Sequence, residues 1–164
     1  MVRMVDPGPM TVEQVPLDAT DDLRRRVLRP DEPPDSVFWP GFEVDGAATF
    51  AVLDPLEHPI STVTVMPAMC PWRPEEAVPW RLRGMATDGG FRGRGLGRLV
   101  LDAAVDHVVG SGATLLWCNA RIRAEPFYRR AGFTVDGEEF DVSGIGPHFP
   151  MSLMLPPPGG SDIG

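Results

Sequence analysis

The sequence contains no lysine; all fifteen of its basic residues are arginine. That absence excludes catalytic lysine chemistry and the Gly-Lys-Ser/Thr phosphate loop of Walker-type nucleotidases. Cysteine is nearly absent too. Cys70 and Cys118 stand far apart, with no C-x-x-C or zinc spacing, and read as two buried free thiols. The histidines His58, His107 and His148 are scattered, so no metal site is expected. His107 falls inside a helix pattern and reads as structural. No apolar run approaches the length of a membrane span. The N-terminal "MVRMVDPGPM" lacks the apolar core of a signal peptide. A cytoplasmic protein with no membrane partner is therefore expected.

Positive charge is also scarce: 15 basic residues against 23 acidic ones leave a formal charge of −8. Nucleic-acid binding leans on phosphate neutralisation, so no nucleic-acid partner is expected. An acidic surface suits cationic substrates such as amines. What the chain does have is length and apolar content for one domain, 164 residues at 43% hydrophobic. We place that domain at 10–155, between a flexible N-terminus (1–9) and a disordered tail (156–164).

The chain alternates strand and helix patterns. "MTVEQVP" (10–16) reads as a short edge strand. "ATDDLRRRVLRP" reads as a helix capped by Asp18, Thr20 or Asp21 and stopped by Pro30. Its Arg24–Arg26 run reads as a solvated face. Residues 29–46 form a Pro-rich loop whose Val37, Phe38, Trp39 and Phe42 suit packing near a site. "ATFAVLD" and "ISTVTVMPAM" make a hairpin. "WRLRGMAT" (80–87) is a strand with two unlike faces, and Gly84 inside it marks a bulge or a close backbone approach. Residues 95–109 carry a wide apolar helical arc. "TLLWCN" (114–119) resembles a strand buried on both faces, "AEPFYRRAGF" a short helix, and "TVDGEEF" and "FPMSLML" two last strands.

Between strand 80–87 and the long helix stands "FRGRGLG". A glycine turn that opens a helix is built for anions: the first N–H groups lack internal partners, and the helix dipole favours negative charge. Arg92, Arg94 and Arg98 add charge-assisted contacts, while Gly93, Gly95 and Gly97 let the backbone approach. Several owners of such turns are excluded. The dinucleotide fingerprint needs glycine where Arg98 stands, and no acidic ribose-binding residue follows at a suitable distance. Kinase signatures are absent. What remains is Arg-x-x-Gly-x-Gly at Arg92, Gly95 and Gly97.

On these residues the chain resembles the GNAT N-acetyltransferase superfamily, which grips the acetyl-CoA pyrophosphate with [Gln/Arg]-x-x-Gly-x-[Gly/Ala]. "LRGMAT", "LLWCNARIRAEPFYRRAGF" and "EEFDVSGIGPHFPMSL" extend the resemblance, the last of them toward the ElaA-like branch. The resemblance implies a single-domain α/β fold. Its central sheet is mixed and mostly antiparallel, with helices on both faces and strands 80–87 and 114–119 splayed apart. It implies acetyl-CoA as co-substrate and a small-molecule or peptide amine as acceptor, with direct transfer in a ternary complex; a homodimer is left open. Met85, Ala86 and Thr87 would pair with the pantetheine arm. Arg92, Gly93, Arg94, Gly95, Leu96, Gly97 and Arg98 would hold phosphate, with Asn119 and Phe127 nearby. Tyr128, the only tyrosine, would return a proton to the thiolate. His148 and Arg121 are the residues assigned to the acceptor, Arg123 being the other arginine of that turn. The general base stays open among Glu43, Asp45, Glu57, His58, Glu75, Glu76 and His148. The alternative reading is a non-catalytic acyl-CoA-binding sensor or scaffold.

Overall fold

Alternating β-branched and apolar residues build the first half of the sheet. In the computed structural model, which describes residues 10–33 and 41–156, β1 (Val12–Val15), β2 (Ala48–Leu53), β3 (Pro59–Pro67) and β4 (Pro79–Thr87) form an antiparallel run. β5 (Leu115–Arg121) lies parallel to β4, so the chain must cross over between them. Helix α2 (Leu96–Gly110) makes that crossover. It buries Leu96, Val100, Leu101, Ala104 and Val108 in one core with Trp80 and Leu82 of β4 and Val63 and Val65 of β3. Helix α3 (Glu125–Arg130) adds Tyr128 to that core. Helix α1 (Asp21–Leu28) packs on the opposite face of β4. The last strands are β6 (Thr134–Val135), β7 (Phe140–Val142) and β8 (Gly146–Met154), giving eight strands in the order β1-β2-β3-β4-β5-β8-β6, with β7 also on β8.

The fold is thus α/β and mixed, mostly antiparallel, with helices on both faces. β4 and β5 pair only from Pro79↔Leu115 to Arg81↔Trp117 and then part. The cause lies on the other side of β4, where its register against β3 shifts between Thr62 and Thr64, opposite Gly84 and Met85. A bulge bends its strand and ends regular pairing. Gly84 sits at φ +67°, and a Cβ there would stand 2.9 Å from Cδ of Arg24 and 3.1 Å from Cε2 of Phe42. Left-handed backbone and a close approach therefore both demand glycine at this point.

Three expectations change. Arg24 is not part of a solvated face: its side chain has no exposed surface, while Arg25 and Arg26 keep 22% and 43%. The aliphatic stem of Arg24 fills the space over Gly84, its charge meets Asp21, and its guanidinium stacks on Phe42, 5.3 Å from the ring centre. Thr20 occupies the N-cap of α1 without capping it, because its hydroxyl donates to the Leu17 carbonyl and accepts from Arg24 instead. "TVDGEEF" is not one strand. Pairing with β8 stops at Val135↔Met151 and resumes at Phe140↔His148, and Pro150, which has no N–H to donate, lies opposite the break that separates β6 from β7. Asp136 turns inward at the break and accepts from Trp72 (2.8 Å), Thr134 (3.2 Å) and Ser152. The terminal segments 1–9 and 157–164, and Val37, Phe38 and Trp39 of the Pro-rich loop, lie outside the described residues.

Candidate active site

The parting of β4 and β5 opens a cavity of about 480 Å³. A second one of about 460 Å³ adjoins it, and Thr87 and Arg92 line both. The second cavity is the glycine turn. Gly93 and Gly95 sit at φ +79° and +76°, and a Cβ on either would meet no atom within 4 Å. Gly95 is the N-cap of α2, so the first N–H groups of a fifteen-residue helix open from this turn. Arg92, Gly93, Gly95, Leu96, Gly97, Arg98 and Phe127 all line this space. Arg98 is braced by Asp102 at 2.8 Å. Arg94 lines neither cavity and stacks on Phe91, 5.4 Å from the ring centre.

The first cavity collects the other predicted groups: Met85, Ala86, Thr87, Asn119, Arg121, Tyr128 and His148. Beyond Arg81 the β5-facing edge of β4 has no strand partner, so the backbone of Met85–Thr87 borders the gap. Asn119 stands on the facing edge, and its Oδ1 is buried without a hydrogen-bond partner. Such an acceptor needs a donor from outside the fold. Backbone edge, orphaned amide and open glycine turn thus border two adjoining cavities. Together they offer an unpaired backbone edge on one side and an anion-binding turn on the other.

Tyr128 is buried at 4% exposure and packs edge-on against Phe127 and Phe133. Phe127 and Ala131 are only half-buried, so Tyr128 itself, and not those two, carries the buried face of α3. Its hydroxyl has no protein partner among the described residues. Burial raises the phenol well above its ordinary value, so it stays protonated. His148 is 6% exposed, and its Nδ1 lies 2.8 Å from the Gly146 carbonyl. A carbonyl only accepts, so Nδ1 carries the hydrogen and Nε2 of the neutral ring keeps its lone pair. Of the base candidates only His148 lines the cavity; Glu43, Asp45, Glu57, His58, Glu75 and Glu76 do not. His58 sits on the β2–β3 turn beside Asp54, and His107 packs edge-on against Phe50 and Trp80. Cys70 and Cys118 are both buried and unpaired.

Phe42 lines the cavity, as its place in the Pro-rich loop suggested, but three lining arginines escaped the sequence reading: Arg29, Arg81 and Arg83. The alternation of "WRLR" held the signal. Trp80 and Leu82 face the core with α2, which sends Arg81 and Arg83 to the other face. There Arg81 stacks on Trp117 at 4.8 Å and Arg83 on Phe42 at 4.4 Å.

Comparison with known proteins agrees with this geometry. Residues 74–155 match the model of the acetyltransferase (GNAT) domain. The chain is 30% identical over 157 residues to the uncharacterized N-acetyltransferase YitI of Bacillus subtilis (strain 168), covering 89% of this chain and 97% of that protein. Escherichia coli ElaA shares the fold with a TM-score of 0.69 at 13% identity, over 88% of this chain and 99% of that one. So does an aminoglycoside 6'-N-acetyltransferase complexed with coenzyme A, with a TM-score of 0.67 at 13% identity, over 91% and 99%.

Proposed function

Because the chain belongs to the GNAT acetyltransferase family, we propose that it moves an acetyl group from acetyl-CoA to a primary amine by direct transfer in a ternary complex. The observation that carries this reading is the pair of adjoining cavities, one formed by the glycine turn and the other lined by Tyr128 and by Asn119, whose Oδ1 is buried and unpartnered. Arg92, Arg98 and the N–H groups around Gly93–Gly97 hold the donor's phosphates. The backbone of Met85–Thr87 pairs with its amides as an added strand would. A backbone N–H at Met85 or Ala86 polarises the carbonyl under attack.

Two proton movements complete the transfer. The acceptor nitrogen bonds to the acetyl carbon as the carbon–sulfur bond breaks. His148 takes the proton lost by the amine, directly or through water, at its Nε2. Tyr128 gives its phenolic proton to the departing sulfur and regains one from solvent. Thiol release from acetyl-CoA, followed over a panel of primary amines, tests the reading. Amine-dependent release with a stoichiometric N-acetyl product is expected. Binding of CoA without turnover of any amine counts against it.

A further inference from the structure

The first cavity carries a charge opposite to that of the chain. Arg29, Arg81, Arg83, Arg92, Arg121 and Arg123 line it, and among the described residues no aspartate or glutamate does. The molecule as a whole bears a formal charge of −8. Arg29 has Glu32 at 3.7 Å, and Arg92 belongs to the glycine turn. Arg81, Arg121 and Arg123 have no carboxylate partner among the described residues. Arg81 is held flat on Trp117, with its Nε buried and unbonded. Arg121 is fixed by donating to the Leu28 carbonyl at 2.8 Å. Burial, and then repulsion from neighbouring arginines, lowers Arg121 and brings Arg83 down to about 10. Crowded, half-desolvated like charges are costly unless an anion meets them.

The donor's phosphates are not that anion. The glycine turn follows Thr87, and Arg81 lies six strand residues before it, roughly 20 Å away. Tyr128 and the Gly84 bulge stand beside the gap between these two ends. The charged wall therefore faces the second substrate. The guanidinium fork matches a carboxylate with two parallel hydrogen bonds, and stacking on an aromatic ring preorganises it.

We infer that the acceptor is an amine that also bears a carboxylate, held by Arg81 and Arg121 with its amine turned toward the donor. This rests on the acetyl-transfer reading above. It sharpens the expectation drawn from net charge, which allowed any cationic amine: the positive amine must come with a negative partner of its own.

Matched amines test this inference. Each set holds an α- or ω-amino acid, its amide and its decarboxylated amine, assayed by thiol release with saturating acetyl-CoA. In the best set, kcat/KM for the carboxylate member is expected to exceed the amide at least tenfold, mainly through KM. Arg81→Gln and Arg121→Gln should each narrow that ratio at least fivefold. The ratio is internal to each preparation, so partial unfolding does not mimic the effect. Amides or decarboxylated amines that react as well as the carboxylates overturn the inference while leaving acetyl transfer standing. So does a ratio that neither variant moves. Silence from every amine counts against the transfer reading instead. Calorimetric titration with N-acetylated amino acids and their N-acetylated amides then decides the charged wall by itself: tighter binding of the carboxylates supports it, and equal or weaker binding overturns it.

Discussion

Tyr128 joins two properties that rarely coincide: 4% exposure and a hydroxyl with no protein acceptor among the described residues. Removing that hydroxyl therefore breaks no internal hydrogen bond. Tyr128→Phe should leave the melting temperature within about 2 °C of the parent while lowering kcat about 100-fold, within the usual range for a general acid. Steady-state kinetics at saturating acetyl-CoA check it, and an unchanged kcat removes Tyr128 from the acid role. Gly84 makes the opposite expectation, a structural one. An alanine there needs φ +67° and brings Cβ to 2.9 Å from Arg24, which is itself walled in by Asp21 and Phe42. Left-handed backbone costs about 1–2 kcal/mol, and overpacking adds about as much again. Gly84→Ala should thus destabilise by roughly 2–4 kcal/mol in denaturant titration, also displacing Met85 and Ala86 next to it. The sequence announced both residues, one as a lone tyrosine and one as a glycine inside a strand. It did not announce that Tyr128 is more deeply buried than Phe127. Two aromatic neighbours on a six-residue helix differ by only a fraction of a turn, and the packing of Phe133 decides between them.

Elements with strong local signals were readable, and those set by a partner strand were not. Helix α2 carries its own apolar arc and its own glycine N-cap, so its limits were expected to within a residue. The division of "TVDGEEF" into β6 and β7 depends on Pro150 in a strand that comes later in the chain. The parting of β4 and β5 combined a family resemblance with a bulge that Gly84 hinted at. Within the phosphate turn, Gly97 offers an element-scale test of donor binding. It is helical, and an added Cβ would make ordinary contacts, 3.5 Å from Phe127 and 3.6 Å from Thr87. Nothing in the fold itself requires glycine there. Gly97→Ala should therefore raise stability by up to about 1 kcal/mol through helix propensity. The motif that the chain resembles admits alanine at this position, so CoA affinity should be little changed by calorimetry. A marked loss of affinity in a variant of raised stability would mean that this turn departs from the motif and needs the bare backbone of glycine at 97.

At the scale of the molecule, charge is distributed in a way that composition conceals. A net charge of −8 is a sum over the surface, whereas the sign of the cavity depends on which residues the topology gathers there. Its arginines come from the end of α1, from β4, from the glycine turn, and from the end of β5 and the turn after it, segments up to 94 positions apart in sequence (Arg29 to Arg123). The long-range pairing that unites them has no local signature. Acceptor recognition should consequently respond to pH in a way fixed by the whole wall. Arg83 faces Arg81 on its own strand, Arg29 from the end of α1, and the Phe42 ring, and its pKa falls to about 10. A bound carboxylate favours the charged form, so binding is at full strength below that value and weakens as pH rises through it. Tyr128 lines the same cavity, but its phenol is raised well above the ordinary 10 and adds no negative charge in that range. An N-acetylated amino acid has no amine to titrate, which isolates the wall from the acceptor's own proton. Its dissociation constant should be level from about pH 7 to 9, then rise by up to about tenfold per pH unit above about 10, the limit for loss of one linked charge. The matching N-acetyl amide should show no such rise. Parallel behaviour of the two ligands would mean that Arg83 contributes no charge to recognition.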